Sequence, residues 1–177
     1  MQLLMDNETE PPLLLAAERG KVITMKTLLD AGADPNRETS RGYTPLLLSA
    51  IGGHVELTRL LLQRGAQSSK VEKYGNSPLH IAIKRGHIDV AELLLKQGAE
   101  PNIVDIWGGT PLHYSAKKGQ KDLVRALMDN GADINIADED GKTPIFYAKK
   151  KGHKKVFKML TEQEAQGKLQ TYMCLLQ

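Results

Sequence analysis

The residues most able to do chemistry are five histidines, one cysteine and a short acidic run. His80 and His113 lie 33 residues apart. His54, His87 and His153 each follow a glycine. A histidine acting as general base needs a nucleophile or carboxylate placed beside it, and a metal needs ligands gathered at close spacing. Five histidines spread along the chain supply neither, so no catalytic or metal-binding residue is assigned. Asp138-Glu139-Asp140 could hold a cation or a basic partner, but it also reads as a solvated loop tip. No phosphate-cradling glycine loop, G-x-S-x-G elbow or H-E-x-x-H helix is present. No cofactor is expected.

Cys174 is the only cysteine, which excludes an internal disulfide and a cysteine-based metal site and fits a reducing, cytoplasmic setting. It opens the final Cys174-Leu175-Leu176-Gln177, which matches the C-a-a-X prenylation box, a terminal Gln favouring farnesyl. The rival reading is a greasy tail folded back through Leu169, Tyr172, Met173, Leu175 and Leu176. One lipid chain anchors weakly, and Lys149, Lys150, Lys151, Lys154, Lys155 and Lys158 would add attraction to an anionic leaflet. With the tail leaving at about Thr161, an extended chain would reach at most ~45 Å. Leu3, Leu4 and Met5 precede Asp6, Glu8 and Glu10, which is not a secretory pattern. No stretch approaches the ~20 apolar residues of a membrane-spanning helix.

The elements that position these residues come from a repeat. Gly42, Gly75, Gly108 and Gly141 recur at a 33-residue step, as do Pro12, Pro45, Pro78, Pro111 and Pro144. Leu28, Leu61, Leu94, Leu127 and Leu160 keep the same register, as do Gly32, Gly65, Gly98 and Gly131. In residues 75–102, Gly75 suits a turn. Ser77 can cap a helix opened by Pro78. Gly86 can close it in the left-handed conformation. A second helix over Ile88 to Lys96 puts Ile88, Ala91, Leu94 and Leu95 near one face. Such a helix pair buries its apolar side only by stacking on a neighbour.

These residues resemble the ankyrin repeat. The pattern G-x-T-P-L-H-x-A, then L-L-x-x-G-A-D-x-N, appears as Gly108-Gly-Thr-Pro-Leu-His-Tyr-Ser and Leu127-Met-Asp-Asn-Gly-Ala-Asp-Ile-Asn135. The resemblance implies an all-α solenoid of helix-turn-helix units with β-turn or hairpin loops. Repeats are placed at 11–40, 41–73, 74–106, 107–139 and 140–165, after a lead-in over 1–10 and before a tail over 166–177. The first lacks the turn glycine, and the last has Glu164 where the others have glycine. Both read as polar caps. The resemblance also implies that His80 and His113 are structural, each hydrogen-bonding a neighbouring loop. The three histidines after glycines are read as capping or surface residues. It implies that Asn36, Asn102 and Asn135, structural in the main, are candidates for asparaginyl hydroxylation.

The implied function is a non-enzymatic adaptor, a monomer that binds a protein on its concave face. Arg41, Tyr74, Trp107 and Asp140 precede the turn glycine. Tyr43, Asn76, Gly109 and Lys142 follow it. Tyr43, Tyr74 and Trp107 are expected on one exposed ridge, since aromatics make good anchors. Lys84-Arg85, Lys117-Lys118 and Lys150-Lys151 align at the ends of the first helices. At ~10 Å between stacked helices they form a basic stripe roughly 20–25 Å long, suited to an acidic protein surface, a phosphorylated ligand or an anionic lipid headgroup, or simply to solvent. The net charge of +3, with no aromatics interleaved along the stripe, argues against nucleic acid. The combination of array and lipid box resembles ankyrin proteins which intracellular bacteria deliver into host cells, and a eukaryotic adaptor fits the residues equally well. A soluble adaptor or inhibitor without lipid is the alternative. A ubiquitin-ligase substrate receptor fits less well, because the segments outside the array are short for a ligase-binding box.

Overall fold

The computed structural model describes residues 12–175, with side chains described for residues 12–167. The lead-in over 1–10 lies outside them. Among the described residues there are ten helices and no strand. They are α1 (Pro12–Glu18), α2 (Val22–Asp30), α3 (Pro45–Gly52), α4 (Val55–Gln63), α5 (Pro78–Arg85), α6 (Ile88–Lys96), α7 (Pro111–Lys118), α8 (Lys121–Asp129), α9 (Pro144–Lys150) and α10 (Lys154–Leu175). Odd-numbered helices pack on one another as an inner layer, and even-numbered helices form the outer layer. Each pair lies antiparallel and stacks on the next, which is the expected helical array.

Local chemistry sets each start and stop. Pro45, Pro78 and Pro111 occupy the first helical turn, where a missing N–H costs nothing. Thr44 Oγ1 accepts from the Leu47 N–H at 3.2 Å. Ser77 and Thr110 form reciprocal capping boxes with His80 and His113. Gly86 ends α5 at φ +85°, in the left-handed region that lets the chain reverse into α6.

The core is a continuous ribbon between the layers. Leu61, Leu94 and Leu127 are fully buried, and Leu160 nearly so. Leu28 is only half-buried; among the described residues the first pair stacks on α3 and α4 alone. The outer helix α2 accordingly buries only Met25 and leaves Ile23 84 % exposed.

The last helix departs from expectation. Gly32, Gly65, Gly98 and Gly131 turn left-handed where the other outer helices end. Glu164 stands at the fifth such position, and α10 runs 22 residues to Leu175 instead of releasing an extended tail. Glu162, Gln163, Ala165 and Gln166 are good helix formers, so nothing there breaks the helix. From Thr161 to Cys174 the reach is therefore about 20 Å, half the extended estimate. The Cys174 side chain lies outside the described residues. Among the described residues, no helix is long and apolar enough to cross a membrane.

Candidate partner-binding face

The loop tips are built alike and tied together. A β-turn closes each one: Gly42 N–H donates to Thr39 O at 3.0 Å, Gly75 to Glu72 at 2.8 Å, Gly108 to Asp105 at 2.9 Å and Gly141 to Asp138 at 2.8 Å. One backbone bond joins each tip to the next: Lys73 N–H to Arg41 O at 3.0 Å, Ile106 to Tyr74 at 3.0 Å and Glu139 to Trp107 at 3.1 Å. These bonds hold Arg41, Tyr74, Trp107 and Asp140 in one row. Arg41 and Asp140 are exposed at its two ends. Tyr74 and Trp107 stack, centroids 6.1 Å apart and 13° from parallel, while staying 47 % and 53 % exposed.

The row after the turn glycine does not join them. Tyr43 is half-buried against the core, and burial, then Glu72's charge, pushes its phenol up. Asn76 is buried, its amide N–H₂ donating to Glu72 Oε1 at 2.6 Å and its oxygen accepting from Lys84. Neither is available as the exposed contact expected of it. Their column varies in size (Tyr43, Asn76, Gly109, Lys142), so each junction packs differently.

A column that sequence reasoning passed over organises the tips. Thr39, Glu72, Asp105 and Asp138 recur at the 33-residue step. Asp105 Oδ1 accepts from the N–H groups of Trp107 and Gly109 at 3.1 and 3.0 Å. Asp138 Oδ1 accepts from those of Asp140 and Lys142 at 3.1 and 2.9 Å. The second oxygen faces the inner helices. Asp105 Oδ2 takes the Lys84 ammonium at 2.9 Å and the Tyr114 hydroxyl. Burial works to raise the Asp105 carboxyl, but those two hydrogen bonds hold it below the ordinary carboxylate range. Asp138 Oδ2 takes the Tyr147 hydroxyl at 2.5 Å. That bond, then burial, pushes Tyr147 up to about 12. Glu72 Oε2 is buried without a hydrogen-bond partner among the described residues, because Ile81 and Ile51 stand where the next junction has Tyr114 and Lys84.

Lys84 therefore leaves the basic stripe. Its ammonium lies 3.8 Å from the Tyr114 ring centre and 5.5 Å from that of Trp107. Arg85, Lys117, Lys118, Lys150 and Lys151 remain exposed. Lys84→Met, which leaves buried Asp105 short of its cation, is expected to cost about 2 kcal/mol. Lys117→Met is expected to change stability by less than ~0.5 kcal/mol. Urea unfolding of both variants checks this, and equal losses would contradict the internal role of Lys84.

The histidines bind the stack. His80 Nδ1 accepts from the Ser77 N–H at 3.3 Å, leaving Nε2–H to donate to Gly109 O at 3.0 Å. His113 repeats this with Thr110 and Lys142. His54 and His87 make no side-chain cap, and His153 shares their place after a glycine. They reach the preceding pair, at Glu18 O, Ile51 O and Lys117 O, each within 3.1 Å. The asparagines divide. Asn36 and Asn102 use both amide ends across a junction: Nδ2 donates to Gly65 O and Gly131 O, while Oδ1 accepts from Gln67 N–H and Asp133 N–H. Asn135 bonds within its own loop, to Asp133.

A family model described as Ankyrin repeats (3 copies) matches residues 13–105 and again 97–171. A search of curated proteins finds no match. The stacked helix pairs, the cross-bonded tips and that match agree: the chain belongs to the ankyrin-repeat family, whose repeats are protein–protein interaction modules.

Proposed function

We propose that all five helix pairs act as ankyrin repeats in an adaptor that docks a protein against the row of loop tips, with Tyr74 and Trp107 at its centre. One observation carries the reading. Seven large apolar side chains are exposed among the described residues, and five of them lie on two adjacent tips: Val71, Tyr74, Val104, Ile106 and Trp107. A stacked, half-exposed aromatic pair offers large area at little entropic cost. Arg41 at one end of the row and Asp140 at the other give it a charge polarity that sets the partner's direction. Exposed Arg85, Lys117, Lys118, Lys150 and Lys151 at the inner-helix ends support an acidic patch on the same partner.

Such docking is independent of the lipid tether expected at Cys174. The lysines that would assist a tether are all exposed on the fifth pair, which supports contact with an anionic surface at that end. The test of the adaptor is Trp107→Ala, which should lose the captured protein in a pull-down while melting within about 3 °C of wild type. Retained capture would remove the ridge as the docking face.

A further inference from the structure

We propose that the cleft between the fourth and fifth pairs receives a basic side chain, arginine or lysine, from the docked protein. This deepens the ridge reading and rests on it.

The cleft has a volume of about 350 Å³ and opens beside Trp107. Its walls are the rings of Trp107, Tyr114 and Tyr147, and its rim carries Asp138, Glu139 and Asp140. The neighbouring junction shows what such a place holds. There Lys84 of the chain itself fills the space, with its ammonium on the Asp105 carboxylate and over the Tyr114 and Trp107 rings. One pair further on, Asp138 and Tyr147 repeat Asp105 and Tyr114, down to the hydroxyl-to-carboxylate bond. Yet Lys117, the counterpart of Lys84, forms no ion pair with Asp138 and stands 5.6 Å from the Tyr147 ring centre.

Two substitutions within the repeat explain the difference. Asn76, whose amide oxygen helps hold Lys84, is replaced by Gly109, which offers no side-chain acceptor. Trp107, whose ring faces Lys84, is replaced by Asp140. Lys117, which lines the cleft, thus lacks the two contacts that seat Lys84 and reaches only over the Tyr147 ring, leaving the rest of the space as the cleft. Gly109 also keeps it shaped, since a Cβ there would meet the Tyr114 hydroxyl at 2.8 Å.

The lining favours a cation. Three carboxylates face one ammonium, and burial holds His113 below its ordinary value, hence neutral at pH 7. Aromatic faces attract cations further, most strongly tryptophan. A guanidinium can lie flat on a ring and fork onto a carboxylate at once. Among the described residues no three His, Cys, Asp or Glu gather as metal ligands.

Trp107 is the sole tryptophan, so its fluorescence reports on the cleft directly. The experiment titrates the full chain with acetyl-Gly-Arg-Gly-amide, acetyl-Gly-Lys-Gly-amide and acetyl-Gly-Glu-Gly-amide at constant ionic strength. A saturating response to the basic peptides alone is expected. It should weaken at least about fivefold in Glu139→Gln/Asp140→Asn, two exposed positions whose change leaves the melting temperature unaltered. No saturation, an equal response to the glutamate peptide, or an unchanged affinity in the double variant overturns the proposal. Capture that survives in the double variant but fails in Trp107→Ala also overturns it while leaving the ridge in place. An arginine-specific response with capture unaffected by Trp107→Ala supports the cleft and retires the ridge.

Discussion

Moving from pH 7 to pH 4 is expected to cost the array about 3 kcal/mol through His80 alone. Its ring is fully buried. Burial, reinforced by the Lys84 charge, lowers its pKa from 6.5 to about 4 against the raising effect of the Gly109 carbonyl. An unfolded histidine takes its proton near 6.5 and the folded one near 4. Between those values the unfolded chain binds more protons, so the contribution is complete above pH 6.5 and disappears as pH falls to about 4. Protonation would also turn Nδ1 into a donor facing the Ser77 N–H, breaking the capping box. His113, lowered by burial in the same sense, adds to the loss. Asp105 and Asp138 are held below 3.8, so their contribution fades only at more acid pH. Urea unfolding at pH 7, 5.5 and 4.5 should show this slope in wild type and a shallower one in His80→Gln. Parallel slopes would mean that His80 is not the titrating group.

Gly108→Ala is expected to be comparably damaging, at about 3 kcal/mol. Gly108 sits at φ +72°, where an L side chain is strained by about 1–2 kcal/mol. Its added Cβ would stand 2.9 Å from Glu139 N and 3.0 Å from Asp138 Cα. Both are backbone atoms and cannot rotate away. Relief requires lifting the fifth tip off the fourth, at the expense of the Glu139 N–H to Trp107 O bond. Gly131→Ala is the control, because φ is +87° there but nothing lies within 4 Å of the new carbon. It should cost only about 1 kcal/mol. Equal losses would show that tip-to-tip packing contributes nothing beyond backbone strain.

Much of the array was legible because its signals are local and repeat. Ser77-Pro78 and Thr110-Pro111 start helices by chemistry confined to one turn, and Gly86 ends one the same way. The Leu61-Leu94-Leu127 column could be read because stacking preserves the 33-residue register. The functional face was legible only along its outer edge. Tyr74 and Trp107 share a column that always points outward at the turn. The column through Lys117 and Lys150 puts Lys84 on the stripe by spacing alone. That lysine is drawn inward by Asn76 and Asp105, which belong to two different tips. Tyr43 likewise feels the next tip, through Glu72, while Asn76 is tied down by Glu72 of its own turn and by Lys84. The buried carboxylate column was visible in the spacing but lies among exposed loop residues, where charge ordinarily means solvent. Glu164 marks a cap in the sequence, but the loss of that one left-handed residue also lets α10 continue.

The central claim is that the tip row, not the outer helices, captures the partner. It is tested most directly by pull-down and melting of Trp107→Ala beside Ile23→Ala, which alters an 84 % exposed residue on α2. The account predicts that Trp107→Ala loses the captured protein, that Ile23→Ala keeps it, and that both melt within about 3 °C of wild type. Capture retained by Trp107→Ala, or lost equally by Ile23→Ala, would contradict it.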